Sequence, residues 1–224
     1  MKRFICVFIV VTLFGFSGCG IKKDTQSVLF FDGGRSFAHV IHDDISNDIR
    51  GCEFLFYNSR GNNFVGKAMD ISRMEREIDD FTEVKADVLT QSTERSVGLS
   101  VNSNPFPREI DYGFNSISAD FDGTGTKDEV RWNFTVSDNK TYGEMWDYTL
   151  TVVLNGEEHS FSNHPDTPTT ADEISVFVID INGDGVFEII LYEKLAHIIS
   201  SVTVFDTKGG NLSEMFCYVI NPGP

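Results

Sequence analysis

Positive charge is scarce in this chain of 224 residues: 18 lysines and arginines stand against 34 aspartates and glutamates, a formal charge of −16. A body so acidic repels phosphate backbones and anionic headgroups, which argues against nucleic acid as a partner. No Gly-x-Ser-x-Gly, phosphate-binding loop or Cys-x-x-Cys occurs, so the common nucleophile, nucleotide and redox signatures are all missing. Long apolar runs are absent too. The run from Phe4 to Phe16 is too short to cross a bilayer as a helix. What remains is 41% apolar and 12% aromatic, enough for a buried core in one domain or two small ones.

That short run has a different use. Met1-Lys2-Arg3 is a positively charged start, Phe4–Phe16 has the length of a signal-peptide core, and Phe16-Ser17-Gly18-Cys19 follows. An apolar residue, two small residues and a cysteine resemble the bacterial lipobox. Small side chains let the extended chain enter a peptidase cleft, and the thiol takes a diacylglyceryl group. The resemblance implies removal of residues 1–18, lipidation at Cys19, and a tether over 19–27 that holds the body at the extracytoplasmic face of a cell or outer membrane. Losing Lys2 and Arg3 would take the formal charge from −16 to −18. Cys6 leaves with the signal, so Cys52 and Cys217 remain. A disulfide between them and two buried thiols are both open readings.

The most informative segment runs Val176-Phe177-Val178-Ile179-Asp180-Ile181-Asn182-Gly183-Asp184-Gly185-Val186-Phe187-Glu188. An apolar run enters a loop with an oxygen-bearing side chain at every second position. Ile117-Ser118-Ala119-Asp120-Phe121-Asp122-Gly123-Thr124-Gly125-Thr126-Lys127-Asp128 aligns with it without a gap. After the first loop, Val130, Trp132, Phe134 and Val136 alternate with polar residues. Tyr148–Leu154 and Glu157–Ser162 then flank the tight turn Asn155-Gly156. After the second loop, Ser201–Phe205 and Leu212–Val219 flank Lys208-Gly209-Gly210. Each unit therefore reads as strand, acidic loop, strand, strand, turn, strand.

Calcium takes six to eight oxygens, and an alternating loop can supply them from positions 1, 3 and 5, a backbone carbonyl at 7, and a closing carboxylate. The first loop offers Asp120, Asp122, Thr124, the carbonyl of Thr126, and Asp128. The second offers Asp180, Asn182, Asp184, the carbonyl of Val186, and Glu188. An EF-hand is excluded, because position 12 is Arg131 in one loop and Leu191 in the other and the flanks read as strands. The loops instead resemble those of FG-GAP and VCBS-type repeats, the blade motifs of integrin-like β-propellers. That resemblance covers about 117–219 and implies a structural Ca2+ in each loop. Asp184 at position 5 of the second loop, against Thr124 and the neighbouring Lys127 in the first, predicts tighter binding by the second.

A third, degenerate copy over 28–69 is suggested by Val28–Asp32 falling on Val176–Asp180 and Phe54–Gly61 falling on Val202–Gly209. Between it and the first loop, 70–110 reads as a helical and irregular insertion, with Met69, Ile71, Met74, Ile78, Phe81 and Val84 at roughly helical spacing. Three copies cannot close a propeller of four blades. The expected fold is mainly β, an incomplete β-propeller-like repeat of four-stranded units, with 111–224 holding the two calcium units. His39-x-x-His42 lacks further zinc ligands and reads as structural. Trp132, Trp146, Tyr142 and Tyr148 suit either a core or an exposed platform. No enzyme is expected. The function expected is a lipid-anchored, calcium-stabilised binding or adhesion module for a protein or glycan ligand. An accessory envelope lipoprotein with purely structural calcium is the alternative, and a hydrolase the least favoured.

Overall fold

The computed structural model describes residues 27–32, 35–40, 52–72, 81–88, 95–100, 104–139, 143–162, 171–195 and 199–220. The expected leader, Cys19, most of the tether, His42 and Tyr142 lie outside the described residues. Those described form strands almost throughout, as expected from the alternating runs. Among them, no helix is long and apolar enough to cross a membrane.

Six strands, β1 (Ser27–Asp32), β2 (Arg35–Val40), β3 (Glu53–Tyr57), β4 (Asn63–Ser72), β5 (Phe81–Val88) and β6 (Arg95–Leu99), close into an antiparallel barrel in the order β1-β2-β5-β4-β3-β6. Closure leaves no unpaired edge. It also corrects two expectations. The stretch 70–110 is not a helical insertion: β5 and β6 lie within it, and β4 runs into it. Glu83, Lys85 and Asp87 alternate with Val84, Ala86 and Val88, a period of two, and pairing with β2 and β4 favours the strand over the helical spacing. Nor is 28–69 a four-stranded unit of its own. β3 pairs with β6, and β1 with both β2 and β6, so the barrel needs 81–99 to close.

The two acidic-loop units form the expected meanders. β7 (Asp111–Gly113), β8 (Ser116–Ala119), β9 (Asp128–Asn139), β10 (Gly143–Leu154) and β11 (Glu157–Ser162) make a five-stranded sheet in sequential antiparallel order. β12 (Ala171–Ile179), β13 (Glu188–Leu195), β14 (Ile199–Asp206) and β15 (Ser213–Ile220) make a four-stranded one. Asn155 and Gly156 both take positive φ, 52° and 86°, between paired Leu154 and Glu157. Those are the left-handed angles that a two-residue hairpin of matching twist requires. Among the described residues no closed propeller forms.

The four-stranded sheet is covered on both faces. Val176, Val178, Ile189 and Leu191 pack with Ile117, Val130, Leu150 and Val152 of the five-stranded sheet. Phe177, Ile179, Ile190 and Tyr192 pack the other way, with Val28, Phe30, Tyr57, Val97 and Leu99 of the barrel. A sheet without a solvent face reads as an unbroken apolar run, which is how 176–179 and 189–192 read. One charge is held at the junction of the two sheets. Glu193, 7% exposed, accepts from Tyr148 Oη at 2.5 Å and from Ser201 Oγ at 2.6 Å. Burial first, and then Glu193, pushes the Tyr148 phenol far up, so it remains a donor.

Tyr148 and Trp132 thus belong to the core region and not to an exposed platform: Tyr148 is buried, and Trp132 packs partly buried against the same cluster. Neither open reading of Cys52 and Cys217, a bridge between them or two buried thiols, holds. Cys217, on β15, is a free, exposed thiol that accepts from Thr203 Oγ1 at 3.3 Å. Cys52 precedes β3 of the barrel and is disulfide-bonded.

In the barrel, Gly98 lets the Phe56 ring lie over the backbone and stack on Phe64, with centroids 5.2 Å apart. A Cβ at Gly98 would stand 2.6 Å from Phe56 Cε1. Gly98→Ala should therefore cost about 1–3 kcal/mol by overpacking. Urea denaturation measures this, and an unchanged midpoint would mean the Phe56 ring swings aside freely.

Candidate metal centre

The first acidic loop joins β8 to β9 and the second joins β12 to β13, and both fold by the same local rules. Gly123 and Gly125 take φ of 74° and 83°, and Gly183 and Gly185 take 78° and 87°. Side chains are disfavoured at such angles, so glycine at these positions lets the chain turn tightly about its own side chains. The closing carboxylate reaches back to the loop entrance. Asp128 Oδ2 accepts from Phe121 N at 2.9 Å, and Glu188 Oε2 accepts from Ile181 N at 2.8 Å. Position 1 spans the loop: Asp120 Oδ2 takes Gly125 N at 2.9 Å and Asp180 Oδ2 takes Gly185 N at 3.0 Å. Position 3 takes the amide of position 5, Thr124 N to Asp122 Oδ1 at 3.1 Å and Asp184 N to Asn182 Oδ1 at 2.8 Å. In these three bonds the gapless sequence alignment is matched by the structure.

The two loops are joined. Phe187 N donates to Phe121 O at 2.8 Å, and the buried Thr207 hydroxyl donates toward Phe187 O at 3.0 Å and Phe121 O at 3.4 Å. The segment linking barrel to sheet also participates, since Asp180 N donates to Pro105 O at 2.8 Å.

They differ in what surrounds their carboxylates. In the first loop, ligand oxygens of Asp120, Asp122 and Asp128 all lie within 4.8 Å of one another. Asn155, from the β10–β11 turn, straps this group. Its Nδ2 donates to Asp122 Oδ2 at 2.6 Å, its backbone N to Asp128 Oδ1 at 3.0 Å, and its Oδ1 accepts from Thr124 Oγ1 at 3.1 Å. Asp120 Oδ1 is buried and has no hydrogen-bond partner. An orphaned, buried anionic oxygen beside two further carboxylates fits a hard cation. Lys127 turns away from the loop and pairs with Asp111.

In the second loop, Asn182 donates its amide to Glu188 Oε1 at 2.7 Å, and Lys208, from the β14–β15 turn, reaches Asp184 Oδ2 at 3.1 Å. Gly183 N donates to Asp180 Oδ1 at 2.6 Å, and Val186 N to Asp184 Oδ1 at 2.9 Å. The carboxylates thus group in the first loop, the one expected to bind less tightly. Among the described residues, the grouped carboxylates that can hold a metal ion are those of the first loop. Asp184, whose charge favoured the second loop in the sequence, is held by Lys208. Sequence reading missed Asn155, Lys208 and Thr207 as partners of the loops. The one available signal was a lysine in the second unit's turn where the first has Asn-Gly.

Burial separates the loops electrostatically. Desolvation raises Asp122, but hydrogen bonds from Thr124 and Asn155 outweigh it and leave the carboxyl below its usual range. Glu188 is fully buried, and desolvation, reinforced by Asp180 and Asp184, lifts it to about 8 against the bond from Ile181 N. Comparison with protein-family models, curated proteins and solved structures finds no match, so the likeness to propeller-blade repeats rests on the loops themselves.

The raised Glu188 has a testable consequence. A folded-state pKa above the ordinary 4.5 means stability is fully present below about 4.5 and is lost as pH rises through about 8. In chelator, wild type should lose stability across that window relative to Glu188→Gln, which is neutral throughout. Parallel urea-midpoint curves for the two proteins would show that Glu188 titrates as an ordinary carboxylate.

Proposed function

We propose that this chain is a lipid-anchored, extracytoplasmic binding module that calcium stabilises at the first loop. The observation that carries the metal reading is the convergence of Asp120, Asp122 and Asp128, with Asp120 Oδ1 buried and unpartnered. Those three carboxylates would hold the ion, with Thr124 and the carbonyl of Thr126 as further oxygen donors. The choice of Ca2+ follows from an all-oxygen donor set and from the export signature, since calcium is abundant outside cells. The ion would neutralise carboxylates that otherwise repel one another, two of them, Asp122 and Asp128, buried.

A binding role is supported by a cleft of about 1020 Å³ that the first loop borders, lined in part by Arg108, Glu109, Ile110, Asp120, Lys127 and Phe187. It combines both signs of charge with apolar wall, suited to a protein or glycan ligand. The alternative is a metal that serves folding alone. It is favoured by the bonds that stitch Phe121 and Phe187 together beneath the loop. A pull-down from the envelope, with and without chelator, divides the two: a binding module loses a specific partner with the metal, and a purely structural one does not.

At free calcium near a hundred times the dissociation constant, binding would add about 2.7 kcal/mol of stability. Wild type should melt higher in calcium than in chelator, and Asp122→Ala should lose that difference. If calcium leaves the wild-type melting temperature unchanged, the first loop is only a turn.

The anchor is tested through cysteine. A palmitate analogue should label wild type and not Cys19→Ser. Lipidation uses the Cys19 thiol, and cleavage removes Cys6. A bridge from Cys52 to either would belong to an unprocessed chain. The mature protein should then show two alkylatable thiols, Cys52 and Cys217, by mass. A single alkylatable thiol, or equal labelling of both proteins, would defeat the anchor.

A further inference from the structure

We infer that the second loop carries its own cation, the Lys208 ammonium, which leaves the first loop as the one that takes a metal ion. This rests on the calcium reading for the first loop and departs from the blade resemblance for the second. The loops share backbone angles and side-chain bonds, so the places where they differ are informative. In the second, every carboxylate oxygen meets a donor. Asp180 takes Gly183 N and Gly185 N, Asp184 takes Val186 N and Lys208 Nζ, and Glu188 takes Ile181 N and the Asn182 amide. In the first, Asp120 Oδ1 faces none.

The equivalent turns explain the divergence. Each meander places the turn between its last two strands over its own loop. The first turn delivers Asn155, a neutral strap, and the second delivers Lys208, a full positive charge 3.1 Å from Asp184. The two turns also meet, because a Cβ on Gly210 would stand 2.6 Å from Asn155 Nδ2. A divalent ion entering the second loop would have to displace an ammonium and turn the Asn182 amide so that oxygen, not nitrogen, faced inward. Entering the first, it meets carboxylates with no lysine among them, since Lys127 is engaged by Asp111. Lys208 is 66% exposed, and exposed ion pairs add little to stability. It therefore governs occupancy of the loop and leaves the fold intact when replaced.

The test counts ions. The full chain in detergent, stripped with chelator, is titrated with calcium by calorimetry. Wild type should bind one ion per chain, lost in Asp122→Ala. Lys208→Met should bind one more than wild type, and adding Asp184→Ala should remove the extra ion. Lys208→Arg, which keeps the charge, should gain none. Equal numbers in wild type and Lys208→Met overturn the inference, as does a wild-type ion lost in Asp184→Ala. Failure of the first-loop reading looks different: wild type would bind nothing while Lys208→Met binds one ion, which overturns the first-loop reading and leaves only the role of Lys208 standing.

Discussion

When a chain leaves one strand and curls into the next, its inward-pointing amides have lost their ladder partners and need other acceptors. In both repeats a carboxylate at the start of the following strand supplies one. Asp128 reaches back to Phe121 N and Glu188 to Ile181 N, each from a buried position. This return bond fixes where Phe121 and Phe187 sit, and so allows Phe187 N to meet Phe121 O and Thr207 to bond both carbonyls. The contact between the two sheets thus begins at a pair of buried acids. The same bond concentrates negative charge. In the first loop that charge is shared among three neighbouring carboxylates; in the second it is relieved by an amide, a lysine and a raised Glu188.

The central sheet adds a second constraint. Its strands bury both faces, against the barrel on one side and the five-stranded sheet on the other. Each layer then depends on its neighbours for cover, and polar groups inside must be fully satisfied. The Glu193 carboxylate meets that demand with Tyr148 from one sheet and Ser201 from its own. On the barrel side, Arg95 lies 5.0 Å over the Tyr192 ring and donates to Ser175 Oγ at 3.5 Å. Directional contacts of this kind fix the angle at which otherwise greasy faces meet.

What could be read in the sequence was what short-range chemistry decides. Alternating oxygens around paired glycines gave both loops and their correspondence, and Asn155-Gly156 gave a hairpin turn with left-handed angles. The meander order followed, because sequential strands joined by short turns have little choice of partner. The barrel was not readable. Its closure depends on β1 meeting β6 across most of the amino-terminal half, and no local pattern encodes that pairing. Phe81 and Val84 fit a helical spacing by accident, while the charges at Glu83, Lys85 and Asp87 carried the strand period. The partners of the two loops were not readable for a related reason. Counting charges within each loop could not reveal that Lys127 faces Asp111 while Lys208, from a turn well outside, faces Asp184.

The two-faced central sheet also separates what recurs from what folds. The recurring segment is one meander with its loop. Yet the second copy has no solvent side of its own: Phe177, Ile179, Ile190 and Tyr192 rest on the barrel, and Val176, Val178, Ile189 and Leu191 rest on the first copy. Neither copy is a module that could be shuffled into another protein or excised as a fragment without baring an oily face. The two meanders form a stack with fixed order, an inner member and an outer one. Mutations in the inner copy are therefore filtered by two neighbours at once, and it should diverge in its apolar residues more slowly than the outer copy while its loop, at the rim, remains free to change its charge.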